Sequence, residues 1–253
     1  TLCNLTIEAG ARAGMIAADE VTIEYLRGRA RVPKAEAFER AAEKWLQLAS
    51  DTDAVFDKEI TLNASLMRPT ITYGTDPGMS VAIGDPIPAA TNMSQHNALQ
   101  YMGFRAGQSM SERTVDIVFI GSCTNGRISD LRAVANVLRG RRVANHVRML
   151  VVPGSEKVSK QAEKEGLHEV FRRAGAEWRL AGCSMCIAMN GDVVPPGKTV
   201  VSTSNRNFKG RQGTGARTLL ASPETAAACA VLGRVAQVKD LDVADSDNQQ
   251  EVA

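Results

Sequence analysis

The chain predicts an α/β fold built around a mostly parallel sheet, and three observations carry that expectation. From residue 117 onward, short apolar runs alternate with helical patterns, the rhythm of βαβ units. Several of those runs end in glycine-rich loops, as strand-to-helix turns do. The composition is that of a packed globular chain, with 44% hydrophobic and 23% charged residues in 253.

The elements follow in order. Thr6–Met15 is small and apolar and reads as a helix, and Ala17–Arg29 reads as a second short one. Lys34–Leu48 is the clearest helix, with Pro33 before it and Phe38, Ala41, Ala42, Trp45 and Ala49 at helical spacing. Ile60, Leu62, Ala64 and Leu66 alternate with polar residues, a strand signal. Residues 74–90 hold three glycines and three prolines and read as a loop or linker. His96–Met102 resumes an amphipathic pattern. Ile117–Ile120 is an apolar strand, followed by a helix over Ser129–Leu138. Met149–Val152, Glu177–Leu180 and Thr199–Ser202 read as strands, and Leu219–Ala221 as a further one. Ser155–Glu165 and His168–Ala174 read as helices. Ser222 followed by Pro223 is a cap-and-first-turn signature, opening a helix to about Leu232. The organisation expected is a domain over residues 1–88, a second over 89–239, and a frayed acidic tail over 240–253.

Charge and cysteine usage exclude several classes. Thirty Lys and Arg stand against twenty-eight Asp and Glu, so the chain has no global attraction to nucleic acid or anionic membrane. No apolar run reaches the roughly 18 residues of a membrane span. Five cysteines in a chain of this length suit a reducing compartment, and a cytoplasmic location is expected. The first residues lack the charged and apolar regions of a signal peptide, and the chain reads as cut from something longer.

Cys183 and Cys186 form a C-x-x-C pair. Alone, that spacing allows a redox dithiol, half of a zinc site or two buried cysteines. On a helical turn both sulfurs can face one point. Cys123 lies in a Gly-Ser-Cys-Thr-Asn-Gly loop between a strand and a helix, and strand ends of this kind converge on the ligand crevice of an open parallel sheet. A structural zinc needs four protein ligands, and neither Cys3 nor Cys229 has metal-site surroundings. Cys229 reads as core, His146 and His168 as surface. Three thiols without a fourth ligand suit an iron–sulfur cluster with one iron open, able to act as a Lewis acid. On spacing alone, buried structural cysteines remain an equal alternative. Residues 202–217 hold Arg206, Lys209, Arg211 and Arg217, three glycines and no acid. Such a loop suits a carboxylate, because arginine offers it a bidentate fork; a solvated loop or a nucleic-acid patch is the alternative.

The local sequences weigh between these readings. Gly121-Ser-Cys-Thr-Asn-Gly-Arg127, Gly182-Cys-Ser-Met-Cys-Ile-Ala-Met-Asn190 and Ser202-Thr-Ser-Asn-Arg-Asn-Phe-Lys-Gly-Arg-Gln-Gly213 resemble motifs of the aconitase superfamily, and within it the isopropylmalate isomerase branch. Thr1-Leu-Cys-Asn-Leu-Thr-Ile-Glu-Ala-Gly-Ala-Arg12 and Tyr73-Gly-Thr-Asp-Pro-Gly78 are similar to further family segments, so the likeness runs from Thr1 to about Val235. It implies a three-layer α/β/α, aconitase-like fold. It implies a 4Fe–4S cluster on Cys123, Cys183 and Cys186 that acts as a Lewis acid. The reaction implied is dehydration and rehydration of isopropylmalate in leucine biosynthesis. Homoaconitate, citrate and methylmalate hydratases, or a cluster-free RNA-binding relative, are the alternatives. By motif position Arg206 and Arg211 look like substrate-binding arginines, with Lys209 and Arg217 as solvated charges. Asn205 looks like a cluster-proximal residue, and Asn4 and Glu8 like residues bordering the site. Asn125 is expected to cap the following helix, or else to reach the cluster. The family's acid/base histidines and aspartates match nothing in the chain. The partners implied are therefore the large subunit's N-terminal part and a small subunit, the swivelling domain, giving a heterodimer that works on a dicarboxylate.

Overall fold

In the computed structural model the described residues are 1–242, apart from the side chain of Glu112. The chain divides into two compact units, Thr1–Leu66 and Met67 onward. Most of the tail expected over 240–253 lies outside the described residues.

The first unit holds helices α1 (Leu2–Glu8), α2 (Glu20–Leu26) and α3 (Glu36–Leu46). Asp19 caps α2 by accepting from the Thr22 amide. A small core joins Ile23 of α2 to Phe38 and Ala42 of α3, with Trp45 edge-on to Phe38 at 5.9 Å. Two expectations fail here. The first helix ends at Glu8 rather than reaching Met15, because Gly10 turns through a left-handed φ of 94°. Ile60–Leu66 forms no strand: Ile60, Leu62 and Leu66 are exposed, and only a 3-10 turn, Ala64–Leu66, is present. Period-two alternation makes a strand only where a neighbouring edge accepts its hydrogen bonds and buries one face.

The second unit begins with a hairpin, β1 (Thr70–Thr72) against β2 (Ser80–Ala82), closed by the Tyr73 amide donating to Met79 O at 2.8 Å. Residues 74–90 are thus not a linker. Ile71, Tyr73, Met79, Ile83 and Ile87 all enter the main core, and the division between units falls at Leu66, earlier than the boundary expected at residue 88. Helix α4 (Met93–Met102) follows, capped by Asn92 and ended by left-handed Gly103.

The sheet comprises β3 (Ile117–Ile120), β4 (Arg148–Val151), β5 (Glu177–Trp178), β6 (Thr199–Ser202) and β7 (Arg217–Leu220). All are parallel, in the order β5-β4-β3-β6-β7. The chain winds outward from β3 through β4 to β5, then returns to the other side of β3 as β6. The strand order therefore reverses between β3 and β6, where doubly wound sheets open their ligand crevice at the carboxyl ends. Both faces of β3 are buried, which is why it reads as an unbroken apolar run. Val118 and Ile120 enter the larger core with α5 (Ile128–Leu138), α6 (Glu156–Lys164), α7 (Leu167–Ala174) and α8 (Pro223–Leu232). Ile117 and Phe119 face the other way, onto Met185, Cys186, Val194 and Ala216. The second face is thus covered by the cysteine-bearing segment.

Candidate functional site

The Cys123 loop leaves β3 at the reversal point. Thr203, immediately after β6, holds it there. The buried Thr203 hydroxyl accepts from the Gly121 amide at 2.9 Å and donates to Gly121 O at 2.8 Å. Asn125 Nδ2 donates to Thr203 O at 2.7 Å. Asn125 therefore ties two loops together and is not the helix cap: α5 begins after Arg127, whose amide donates to Asp130. On its other side the loop packs backbone to backbone, Gly154 N donating to Gly126 O at 2.8 Å. A Cβ on Gly126 would stand 2.7 Å from Ser122 O and 2.8 Å from Gly154 N, so only glycine permits this approach.

Cys183 and Cys186 lie on a 3-10 turn, Ser184–Ile187, closed by Cys186 N donating to Cys183 O at 2.9 Å. The expected helical turn is present in this tighter form. Cys123 and Cys183 are exposed and Cys186 is buried. Burial pushes the Cys186 thiol above its ordinary range. The Arg211 guanidinium opposes that shift, and the nearby Cys123 and Cys183 add to it. Arg211 Nε donates to Cys186 O at 2.9 Å, with its other arm 4.0 Å from Cys186 Sγ. Cys229 is remote from this chemistry. It is fully buried in α8, bonded to the Ala236 amide, and pushed up to about 12 by burial.

Of the five non-glycine residues with left-handed φ among the described residues, four flank these cysteines: Ser122 at 92°, Ser184 at 46°, Ala188 at 55° and Asn190 at 58°. Such conformations persist only where surrounding bonds hold them, and they gather at functional sites. The bonds are visible. Ser184 Oγ donates to Asp192 Oδ2 at 2.6 Å, and Arg179 clamps Asp192 Oδ1 at 2.6 Å, with Arg148 at 3.8 Å. Burial acts to raise the Asp192 carboxyl, but Ser184 and the arginines hold it below the usual aspartate range. Buried Gln212 donates to Met185 O and Ser202 Oγ and accepts from Thr218, joining the turn to β6 and β7.

The arginine loop after β6 places Arg206 exposed and Asn205 half-buried. Buried Asn207 fastens this loop to the 73–78 segment, donating to Gly74 O at 2.8 Å. Lys209 is exposed, 5.3 Å from the Tyr101 ring. Arg217 is not a solvated charge: half-buried on β7, it donates to Tyr101 O, while Arg113 takes Met102 O and Gly103 O at the end of α4. His168 is half-buried beside Trp178, with its Nδ1 enclosed, rather than on the surface. Asn4 and Glu8 lie one turn apart on α1, both half-buried, in the first unit. Thr203, Asp192, Asn207 and Gln212 escape sequence reasoning. The available signals were a lone acid in residues 180–197 and amides inside a glycine-rich motif.

The donor set fits an iron–sulfur cluster. A cluster presents a separate iron to each thiolate, so its ligands need not close around one point. Among the described residues no three His, Cys, Asp or Glu do so. The site is thus a parallel α/β sheet with a cysteine loop and an arginine-rich loop at its reversal point. A model of the aconitase family (aconitate hydratase) matches residues 1–233, and the chain belongs to that family. The chain is 57% identical over 243 residues to the 3-isopropylmalate dehydratase large subunit of Roseiflexus castenholzii (strain DSM 13941 / HLO8). That alignment covers 93% of the chain and 52% of the relative, so the chain spans about half the length of the curated relative it matches. No helix among the described residues is long and apolar enough to cross a membrane.

Proposed function

We propose that this chain is the cluster-holding part of a hydro-lyase that converts 2-isopropylmalate to 3-isopropylmalate in leucine biosynthesis. What supports the reading is the Cys123 loop pinned at the β3–β6 reversal by Thr203, with Cys186 in the same buried cluster as Phe119 of β3 and Arg211 bonded to Cys186 O. The similarity to a 3-isopropylmalate dehydratase large subunit supports the choice of substrate. Cys123, Cys183 and Cys186 hold a 4Fe–4S cluster in this reading. When bound, the cluster supplies a Lewis acid that stabilises departing hydroxide. Arg206 meets a substrate carboxylate, where a planar guanidinium binds in bidentate fashion. Arg211 spends its Nε on Cys186 O and offers its remaining donors to the same anion. Asn205 lies beside the cluster, and Asn4 and Glu8 border the substrate in the assembled enzyme. Proton transfer falls to the large subunit's N-terminal part and to a small subunit, in the cytoplasm.

Anaerobic reconstitution with iron and sulfide tests this reading. The expected result is about one cluster per chain, the stoichiometry set by three thiolates and one open iron. Cys123→Ser, Cys183→Ser and Cys186→Ser should each abolish uptake, and Cys229→Ser should not. Unchanged cluster content in Cys123→Ser would refute the assignment.

A further inference from the structure

We propose that Asp192 is a positioning residue for the thiol site, acting through Ser184. This goes beyond the cluster assignment while resting on it. Ser184 separates Cys183 from Met185 and Cys186, and its φ of 46° sets the turn that places both sulfurs. An L-residue resists that conformation, which glycine adopts freely. A single side-chain bond holds Ser184 there: its hydroxyl donates to Asp192 Oδ2 at 2.6 Å, between residues that are both buried. Asp192 is fixed in turn. Its side chain is 4% exposed, and its second oxygen is taken by Arg179 at 2.6 Å, on the chain leaving β5. Arg148 of β4 stands 3.8 Å away and also pairs with Glu177 of β5. The link thus runs from two sheet strands through a carboxylate to the backbone between the cysteines. A carboxylate this buried is costly unless paired, and Ser184, Arg179 and Arg148 supply its partners.

The physical argument yields a rescue test. If Asp192 serves to hold Ser184 left-handed, glycine at 184 makes it dispensable. The full chain is compared as wild type, Asp192→Ala, Ser184→Ala, Ser184→Gly and the Ser184→Gly/Asp192→Ala double variant. The first readout needs no cluster: amide coupling constants and chemical shifts at residue 184 in the metal-free chain. Residue 184 should leave the left-handed region in Asp192→Ala and in Ser184→Ala, and return to it in the double variant. The second readout is the rate at which a chelator strips iron from the anaerobically reconstituted chain. Loss should quicken roughly five- to thirtyfold in Asp192→Ala, the factor that matches an unaided left-handed residue, and recover in the double variant. A left-handed Ser184 in metal-free Asp192→Ala would overturn the proposal. So would a double variant that loses iron as fast as Asp192→Ala. If wild type takes up no iron, the cluster assignment fails, while the coupling constants still decide what Asp192 does to the turn.

Discussion

Replacing Thr203 by valine isolates the bond pair that joins the Cys123 loop to β6. The two side chains have nearly the same shape, so packing survives while the hydroxyl is lost. In the native structure that hydroxyl serves both the amide and the carbonyl of Gly121, at 2.9 and 2.8 Å, within a fully buried setting. Valine leaves both backbone groups without this partner. Each orphaned buried group costs about 1–3 kcal/mol, and the added methyl returns part of that, so we expect a net loss of about 2–4 kcal/mol. At a urea dependence of about 2 kcal/mol/M, the unfolding midpoint of the sheet-bearing unit falls by about 1–2 M. Thr203→Ser is the control. It keeps both bonds and removes one methyl, so it costs about 1 kcal/mol. The measurement is urea unfolding followed by circular dichroism, with the slope checked for constancy. A valine variant within about 0.5 kcal/mol of wild type, or a serine variant as weak as valine, would refute the reasoning.

Further outcomes are expected. In the assembled enzyme, Arg206→Lys and Arg211→Lys should each lower kcat/KM roughly tenfold to hundredfold, the equivalent of a lost charge-assisted bond. Lys209→Ala, against the Tyr101 ring, should change it little, and equal losses at all three would mean that loop charge alone matters. Native alkylation at pH 8 should modify Cys123 and Cys183 but spare Cys229 until the chain is denatured. With its thiol at about 12, only roughly one Cys229 in ten thousand is thiolate at that pH; labelling in the native chain, read by mass spectrometry, would contradict the buried setting. Asp192 gives a pH signature. Its folded carboxyl lies below the ordinary range, so its stabilisation is present above the unfolded aspartate value of about 3.9 and is lost as pH falls through the folded one. Asp192→Asn should therefore be less stable at pH 7 and show a shallower acid limb of stability against pH. An unchanged limb would count against the clamp.

The strands were legible where both faces are buried. Ile117–Ile120 is a continuous apolar run and Thr199–Ser202 opens with three β-branched residues, and both strands lie where expected. Ser222 and Pro223 marked the start of α8 because cap chemistry is local. Tertiary partners decided the rest. Ile60–Leu66 has a strand's alternation and no paired edge, while residues 74–90 have a linker's composition yet send Met79, Ile83 and Ile87 into the core. At the site, the cysteines and arginines stood out by residue type. Asn125 was misplaced because its partner, Thr203, is remote in sequence and becomes a neighbour only through the parallel pairing of β3 with β6. Asp192 and Gln212 were silent for the same reason: their meaning lies in strands that the local sequence does not mention.

The spacing of the thiols along the chain makes their meeting a report on long-range order. Cys183 and Cys186 are neighbours in any conformation that forms one tight turn. Cys123 lies about sixty residues upstream, and confining so long a loop in a flexible chain is entropically unfavourable. In the folded chain its loop is set by β3, which pairs with β4 on one side and β6 on the other. The third thiol's place near the pair therefore reports that the parallel sheet has formed, which the local Cys183–Cys186 turn cannot do.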